Sequence, residues 1–255
     1  MTTSATTFTN WVEWGERYWA ESRRPLASLI FTAPLLLIYE IGVLSLGRYA
    51  VRNGAEAWLR QLLDLLGLGQ YFLLPVLTIC ILLGWHHLTR QPWRVSPGVF
   101  SGMACECLAL AFGLQVLAWL LGILMQRLPG IPVQSIPAAP SVVASTLGSV
   151  AGFLGAGVYE ELLFRMILLP LSVGLFRWLR LGPHGSVVGG IVLSSLLFAA
   201  AHHLGPAGEA FSAFKFLFRC VAGGGFSLLF LYRGFGIAAG THAGYDLLVG
   251  LSLLP

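Results

Sequence analysis

The chain has 255 residues, of which 56% are hydrophobic and only 10% are charged. Soluble globular domains carry about 25% charged residues, so this composition excludes an ordinary soluble globule. The formal net charge is +4. However, the arginines flank apolar stretches and are not interleaved with stacking aromatics, which is typical of membrane-span ends and argues against a nucleic-acid partner. We therefore expect a helical bundle whose partner is the lipid bilayer.

Eight apolar stretches are candidate transmembrane helices, for which about 20 residues are needed. In chain order they are Leu26–Leu46, Tyr71–Leu88, Val99–Met125, Val142–Phe164, Ile167–Leu181, Ser186–His202, Phe211–Tyr232 and Phe235–Leu254. They predict an all-α fold, a polytopic integral membrane helical bundle of about eight transmembrane helices. We expect this multi-pass protein in the cell membrane, the inner one where a cell has two.

Two segments outside these stretches are expected to lie along the membrane surface. Ala57–Gly69 is amphipathic and too short to span the bilayer. The first 25 residues include aromatic side chains such as Trp14 and Trp19, which favour the membrane interface. They lack the pattern of a cleaved signal peptide, so we expect them to remain attached.

A proline-rich connection divides the predicted bundle into two parts. Its prolines run from Pro129 to Pro140 and indicate a stiff, poorly helical segment. Before it, residues 1–128 supply the interfacial N-terminus and three spans. After it, residues 142–255 form the helical core that carries the chemistry, and both parts belong to a single membrane domain.

The fifth candidate span, Ile167–Leu181, decides a geometric question. It is short and contains Pro170 and Gly174. If it crosses the membrane, the helices that end near Glu160 and His202 run parallel and bring these residues to a similar depth. If it does not cross, the two helices end on opposite faces of the membrane, and both alternatives remain open at the level of sequence.

Five of the eleven acidic residues lie inside candidate spans. They are Glu40, Glu106, Glu160, Glu161 and Asp246. A carboxylate at the centre of a membrane helix costs about 2.5–3.5 kcal/mol, so each of them needs a partner or a function. Glu40 and Glu106 have no motif around them, and we expect each to pair with a neighbouring helix or to line a cavity. The other six acids, among them Glu56, lie outside the spans, where acids belong.

The first of three polar clusters begins at Glu160. Glu161 and Arg165 are four residues apart on one helix, with the acid nearer the N-terminus, which is the favourable order for an ion pair. Glu160 is rotated by about 100° from Glu161 on a helix of 3.6 residues per turn. This rotation leaves Glu160 free for chemistry.

The other two clusters bring histidines. His242 and Asp246 share one helix face, and Phe198 lies one turn before His202. A carboxylate in an apolar pocket can act as a general base toward water, with one histidine holding the water and another stabilising the oxyanion. Neither G-x-S-x-G nor H-E-x-x-H occurs in the chain, so these clusters predict hydrolysis without a serine nucleophile or that zinc motif.

The three clusters resemble the signature motifs of the CAAX protease and bacteriocin-processing family. Glu160-Glu161 with Arg165 matches EExxxR, Phe198 with His202 matches FxxxH, and His242 with Asp246 matches the Asp variant of HxxxN. The family consists of polytopic intramembrane endopeptidases and includes the type II CAAX prenyl endopeptidases. The resemblance covers Val142–Pro255, and the first half of the chain adds only its number of spans.

The resemblance implies a role for each matching residue. Glu160 is expected to activate the attacking water together with His202, while His242 and Asp246 line the oxyanion side. Glu161, Arg165 and Phe198 are expected to support this arrangement. The implied substrate is a peptide or a membrane protein, including lipidated ones, whose peptide bond is cleaved at the membrane.

Two positions depart from the family pattern. Met166 follows Arg165 where the motif often has glycine, and Asp246 stands where prenyl-processing members tend to have asparagine. An asparagine amide can donate a hydrogen bond to an oxyanion, whereas an ionised aspartate cannot. Asp246 therefore either stays protonated, orients His242, or binds a metal.

Several alternatives remain open from sequence alone. We expect no cofactor, although Glu160, His202, His242 and Asp246 form an acceptable ligand set for zinc. A transporter or proton relay that uses the buried acids, and a catalytically idle immunity or binding protein, are the rival functions. The remaining histidines are expected outside the site. His86, His87 and His184 lie at span ends, where a solvated histidine is ordinary, and His203 points away from His202.

Overall fold

The computed structural model describes residues 3–47, 50, 52–127, 146–205 and 208–252. These residues form helices and turns, without a strand among them. The helices are α1 (Thr3–Ser22), α2 (Pro25–Leu46), α3 (Gly54–Leu65), α4 (Leu73–Leu88), α5 (Gly98–Gln126), α6 (Thr146–Glu161), a π-helical segment (Leu162–Leu168), α7 (Leu169–Trp178), α8 (Pro183–Ala201), α9 (Ala213–Arg233) and α10 (Phe235–Ser252). The predicted proline-rich connection, the first residues of the Val142–Phe164 stretch and the end of the Phe235–Leu254 stretch lie outside the described residues.

The helices have the composition of a membrane protein. Within the described residues, four helices, α2, α5, α8 and α9, are long and apolar enough to cross a membrane, and α4 is a shorter apolar helix. The predicted all-α membrane fold is therefore confirmed at this level. The number of about eight transmembrane helices, and the division into residues 1–128 and 142–255, stay predictions.

α5 has a large apolar face that the other described helices leave exposed. Its large apolar side chains are mostly exposed on the isolated chain, among them Leu108, Phe112, Trp119 and Leu124. A continuous exposed apolar face of this size marks contact with lipid or another apolar partner, since in water it would be strongly unfavourable. Met103 and Cys107 on the opposite face are buried, so α5 packs one side on the bundle.

The fourth and fifth predicted spans are not two separate helices. α6, the π-helical segment and α7 follow one another without a break, and the junction residues Glu161, Leu168 and Leu169 all have right-handed helical backbone angles. Pro170 follows the π-helical segment by two residues, where the backbone hydrogen-bond register has already shifted, so the helix continues past its missing N–H. The prediction of an independent span at Ile167–Leu181 was therefore wrong, because its proline is accommodated within a continuous helix.

The continuous helix brings Glu160 and His202 to a similar depth by a route that neither sequence alternative described. After Trp178 a short turn at Leu179–Gly182 reverses the chain, and α8 packs back along α7. Glu160 and His202 lie at nearly equal distances along the two arms of this antiparallel pair. They therefore reach a similar depth although no separate span intervenes.

α10 is the central helix of the bundle. It packs against α2, α5, α6 and α9, and Phe235, Ile237 and Ala238 in its first turn are fully buried. Gly234 alone separates α9 from α10 and adopts a left-handed backbone with φ of 85°, which glycine accepts without strain. This tight connection lets α9 and α10 approach the site side by side.

α3 confirms the predicted amphipathic helix near Ala57–Gly69 and places it more exactly in the fold. Asn53 caps its N-terminus, since the side-chain oxygen accepts hydrogen bonds from the backbone of Ala55 and Glu56. One face of the helix is buried at Leu59, whereas Leu65 is almost fully exposed. α3 packs on α6, which brings its first turn to the helix that carries Glu160.

Glu56 departs from the expectation for acids outside the spans. Its side chain is fully buried, and it accepts hydrogen bonds from Tyr39, Arg52 and Arg60. Two arginines and a phenol replace the water that a solvated carboxylate would use. The sequence could not indicate this burial, because Tyr39 comes from α2.

Candidate active site

Glu160 lies at the centre of the candidate active site. Its side chain is buried near the end of α6. Oε2 of Glu160 lies 3.7 Å from Nε2 of His202 and 3.8 Å from Nε2 of His242. The structure therefore brings residues from α6, α10 and the end of α8 around one carboxylate oxygen.

The hydrogen bond of His202 identifies which ring nitrogen carries a proton. Nδ1 of His202 lies 2.9 Å from the carbonyl oxygen of Phe198, one turn earlier. Because a carbonyl can only accept, Nδ1 is the donor, and in the neutral ring Nε2 presents a lone pair toward Glu160. Two acceptors thus face each other, which calls for a proton donor between them.

His242 is oriented by Glu161 rather than by Asp246. Nδ1 of His242 donates to Oε1 of Glu161 at 2.7 Å. Nε2 of the same ring faces Glu160 and lies 3.6 Å from Oδ2 of Asp246, beyond the range of a direct hydrogen bond. Of the three roles considered for Asp246, orienting His242 through a direct hydrogen bond is therefore not observed.

Glu161 and Arg165 form the predicted ion pair, and both side chains are 0% exposed. Nη1 of Arg165 donates to Oε1 of Glu161 at 2.9 Å, and Nη2 donates to the carbonyl oxygen of Gly223 on α9 at 3.3 Å. The same carboxylate oxygen accepts from His242, so the pair also connects α6 to α10. Such a buried pair survives only if each charge keeps its partner.

Aromatic rings close the inner side of the site. Phe198 packs edge-on against His202, with ring centres 4.9 Å apart, and the Arg165 guanidinium lies 4.3 Å from the centre of the Phe198 ring. Phe226 on α9 stacks on His242 with ring centres 4.7 Å apart. Phe198 was expected from its motif, whereas no motif announced Phe226, which lies opposite His242 only after α9 and α10 pack together.

Exposure increases across the site from one end to the other. The side chains of Glu161 and Arg165 are 0% exposed, whereas those of His202 and Asp246 are 24% and 25% exposed. Glu160 lies between these two ends. The site is therefore closed at the ion pair and open at His202 and Asp246, which form its mouth.

A charged cluster joins the loop that follows His202 to the start of α9. Glu209 accepts hydrogen bonds from Lys215 at 2.6 Å and from Arg219 at 2.8 Å. Burial alone would raise the pKa of Glu209, but these two hydrogen bonds hold it below its ordinary value. The backbone N–H of Glu209 also donates to the carbonyl oxygen of His202 at 2.8 Å, so the loop is fixed to the mouth of the site.

One residue of the site was missed by the sequence analysis. Nδ2 of Asn53 donates to Oε1 of Glu160 at 2.8 Å. Asn53 lies at the start of α3, in the half of the chain that was expected to contribute only spans. Its cap position was readable, since asparagine before Gly54-Ala55-Glu56 is a good N-cap, but nothing local indicated its contact with α6.

The other intramembrane acids pair with neighbouring helices. Glu40 accepts a hydrogen bond from the hydroxyl of Tyr159 at 2.6 Å. Glu106 accepts hydrogen bonds from Nε and Nη2 of Arg233, each at 2.6 Å, and from Tyr18. The first of the two expectations for these acids, pairing with a neighbouring helix, is confirmed.

The histidines outside the site behave in two ways. His87 and His184 are exposed, as predicted, and Nδ1 of His203 donates to the carbonyl oxygen of Glu209 at 3.0 Å, away from the site. His86 contradicts the prediction, because its side chain is fully buried and packs edge-on against Trp93 with ring centres 4.5 Å apart. A position at a span end did not reveal this contact between α4 and the following loop.

The zinc alternative gains no support from the arrangement of side chains. Within the part of the chain that the structure describes, no group of three or more His, Cys, Asp or Glu residues is placed to hold a metal ion. Metal-free chemistry stays a prediction.

Gly157 allows α6 and α10 to approach each other closely. A Cβ atom built on Gly157 would lie 2.7 Å from the carbonyl oxygen of Ala239 and 2.8 Å from the backbone nitrogen of Ala243. Gly157→Ala must therefore displace α10 and is expected to destabilise the protein by about 1–3 kcal/mol. Thermal unfolding in detergent measures this effect, with Gly152→Ala as the control.

Gly152 lies on the same helix, and nothing lies within 4 Å of a Cβ atom built on it. Gly152→Ala is expected to leave the melting temperature unchanged or to raise it, because alanine favours helix. Equal melting temperatures for Gly157→Ala and the parent protein would contradict the close packing described.

A helical membrane chain in which a buried glutamate faces two histidines has the arrangement expected of a membrane-embedded hydrolase. Residues 142–248 match the family model described as Type II CAAX prenyl endopeptidase Rce1-like. The match confirms the family predicted from the three motifs, over the segment that carries them, and indicates a protease of the CAAX type. No curated protein and no solved structure matches the chain.

Proposed function

We propose that the protein is an intramembrane endopeptidase that hydrolyses a peptide bond with a water molecule activated by Glu160. One observation carries the proposal: a single oxygen of Glu160 faces the Nε2 atoms of His202 and His242 at 3.7 and 3.8 Å. A carboxylate held against imidazoles in an apolar pocket is suited to general base catalysis. The family match covers the segment that contains these residues and supports a protease.

The spacing between Glu160 and His202 suits a nucleophilic water. Its oxygen can lie about 2.8 Å from both Oε2 of Glu160 and Nε2 of His202, since these atoms are 3.7 Å apart. Both atoms are acceptors when His202 is neutral, so the water donates one hydrogen to each. Its lone pairs are then left for the carbonyl carbon of the substrate.

His242 is the residue that stabilises the oxyanion in this mechanism. When the water attacks, Glu160 takes its proton, the carbonyl oxygen becomes an oxyanion, and Nε2–H of protonated His242 donates to it. The proton on Glu160 then passes to the amine as the C–N bond breaks. Asp246, 3.6 Å from Nε2 of His242, stabilises the protonated ring through its negative charge without donating to the oxyanion.

The matched family and the open mouth of the site support a proposal for the substrate class. The family description names CAAX prenyl endopeptidases, and we propose a peptide substrate, including a prenylated one, whose scissile bond enters through the mouth at His202 and Asp246. The apolar exterior of the helices keeps the site at the membrane, where a lipidated peptide is concentrated.

The experiment that tests the proposed function uses purified protein in vesicles and a fluorogenic prenylated CAAX peptide. We expect cleavage that incorporates one ¹⁸O atom from labelled water into the new carboxylate and that persists after dialysis against a zinc chelator. Loss of activity on chelation, restored by added zinc, would contradict the metal-free mechanism. Absence of cleavage of prenylated and unprenylated peptides would contradict the proposed function itself.

A further inference from the structure

The side-chain amide of Asn53 contacts the site in a fixed orientation, because its oxygen is already used in other hydrogen bonds. Its Oδ1 accepts hydrogen bonds from the backbone of Ala55 at 2.9 Å and Glu56 at 3.4 Å, because it caps α3. An amide whose oxygen is used in this way can only present its nitrogen on the other side. That nitrogen donates to Oε1 of Glu160 at 2.8 Å.

The first turn of α3 is anchored independently of the site. Glu56, one turn into the helix, is fully buried and accepts hydrogen bonds from Arg52, Arg60 and Tyr39. The Tyr39 hydroxyl also accepts from the backbone N–H of Asn53 at 3.4 Å. Asn53 is therefore held against α2 by a network that does not depend on Glu160.

This anchoring gives the two oxygens of Glu160 different surroundings. Oε1 is held by Asn53, whereas Oε2 faces His202 and His242. The last torsion of a glutamate is otherwise soft, so its carboxylate plane rotates easily. A general base works best when the oxygen that receives the proton is already aimed at the water.

We propose that Asn53 is a positioning residue for Glu160, which it holds with Oε2 directed toward the two histidines. The inference rests on the proposed function, and it extends the active site to a helix outside the matched residues 142–248. It also gives the buried network around Glu56 a role next to the site: the network fixes the hydrogen-bond donor, Asn53, and not the base, Glu160.

Asn53→Ser separates the amide contact from the helix cap. Serine caps a helix about as well as asparagine but has no amide that reaches Glu160. We expect kcat to fall by about 10²-fold, because misplacement by about 1 Å costs this much, while KM for the prenylated peptide stays close to that of the parent protein and the melting temperature falls only by the small contribution of one hydrogen bond. Asn53→Ala removes both cap and amide and should lower the melting temperature as well.

Full kcat in Asn53→Ser overturns the inference, and so does a loss of activity that only follows the fraction of folded protein. Adding Asn53→Ser to Glu160→Gln should cause no further loss of the residual rate, because the residue acts through Glu160. The melting temperatures of Asn53→Ser, Glu160→Ala and their double variant complete the test, because Glu160→Ala removes the acceptor that Glu160→Gln keeps. Non-additive shifts are expected, and additive shifts overturn the contact. If the parent protein cleaves no peptide, the proposed function fails, while this thermal cycle still tests Asn53.

Discussion

Glu160→Gln is expected to fold normally and to lose about 10²–10⁴-fold in kcat, the contribution typical of a general base. Glutamine has nearly the same shape and keeps an oxygen that can accept the hydrogen bond from Asn53. It cannot take a proton from water at the position of Oε2. The variant therefore separates the fold from the chemistry.

The measurement compares initial rates on the prenylated peptide with the melting temperature of the same preparation. Glu16→Gln is the matched control, because Glu16 is exposed on α1, a helix that packs on α5 and α2, and the substitution removes the same charge. Its rate should equal that of the parent protein. A fully active Glu160→Gln protein would exclude the glutamate-activated water.

Glu161→Ala is expected to destabilise the fold, whereas Glu160→Gln is expected to leave the fold intact. The two glutamates are adjacent in the chain. The side chains of Glu161 and Arg165 are both 0% exposed, and Glu161 also accepts a hydrogen bond from His242. Removing one partner of a buried ion pair costs about 3–5 kcal/mol, because the other charge stays buried without compensation. The variant should lose most of its folded protein, and with it the activity.

The yield of monodisperse protein and the melting temperature in detergent measure this effect. The double variant Glu161→Gln with Arg165→Met should recover much of the lost stability, because a neutral pair of similar volume can replace a buried ion pair. A Glu161→Ala protein with the parent melting temperature would show that Arg165 finds another partner. A folded but inactive Glu160→Gln protein, together with an unstable Glu161→Ala protein, would assign the catalytic role to Glu160 and the supporting role to Glu161.

The parts of the site that could be predicted from sequence are those fixed by a single helix. Glu161 and Arg165 are four residues apart, and so are Phe198 and His202, so helical geometry alone brings each pair together. The contact between Asn53 and Glu160 joins residues 107 positions apart. No periodicity encodes that separation, because it depends on how α3 packs on α6.

The all-helical membrane fold could be predicted from the sequence. The continuity of the helix around Pro170 and the burial of some polar side chains could not. Hydropathy identified the apolar helices, yet Pro170 favoured a break in a helix that the π-helical segment in fact continues. Glu56 and His86 were expected to be solvated because of their positions between or at the ends of spans. Partners from other segments, Tyr39 for Glu56 and Trp93 for His86, decide their burial instead.

The position of Asn53 also limits how the catalytic segment can be exchanged between proteins. A graft of residues 142–248 onto another set of amino-terminal helices would transfer Glu160, both histidines and the Glu161–Arg165 pair. It would leave behind the amide that holds Oε1 of Glu160. In this chain the matched segment therefore lacks one of the residues that contact Glu160, and a graft would have to include the amino-terminal helix that carries Asn53.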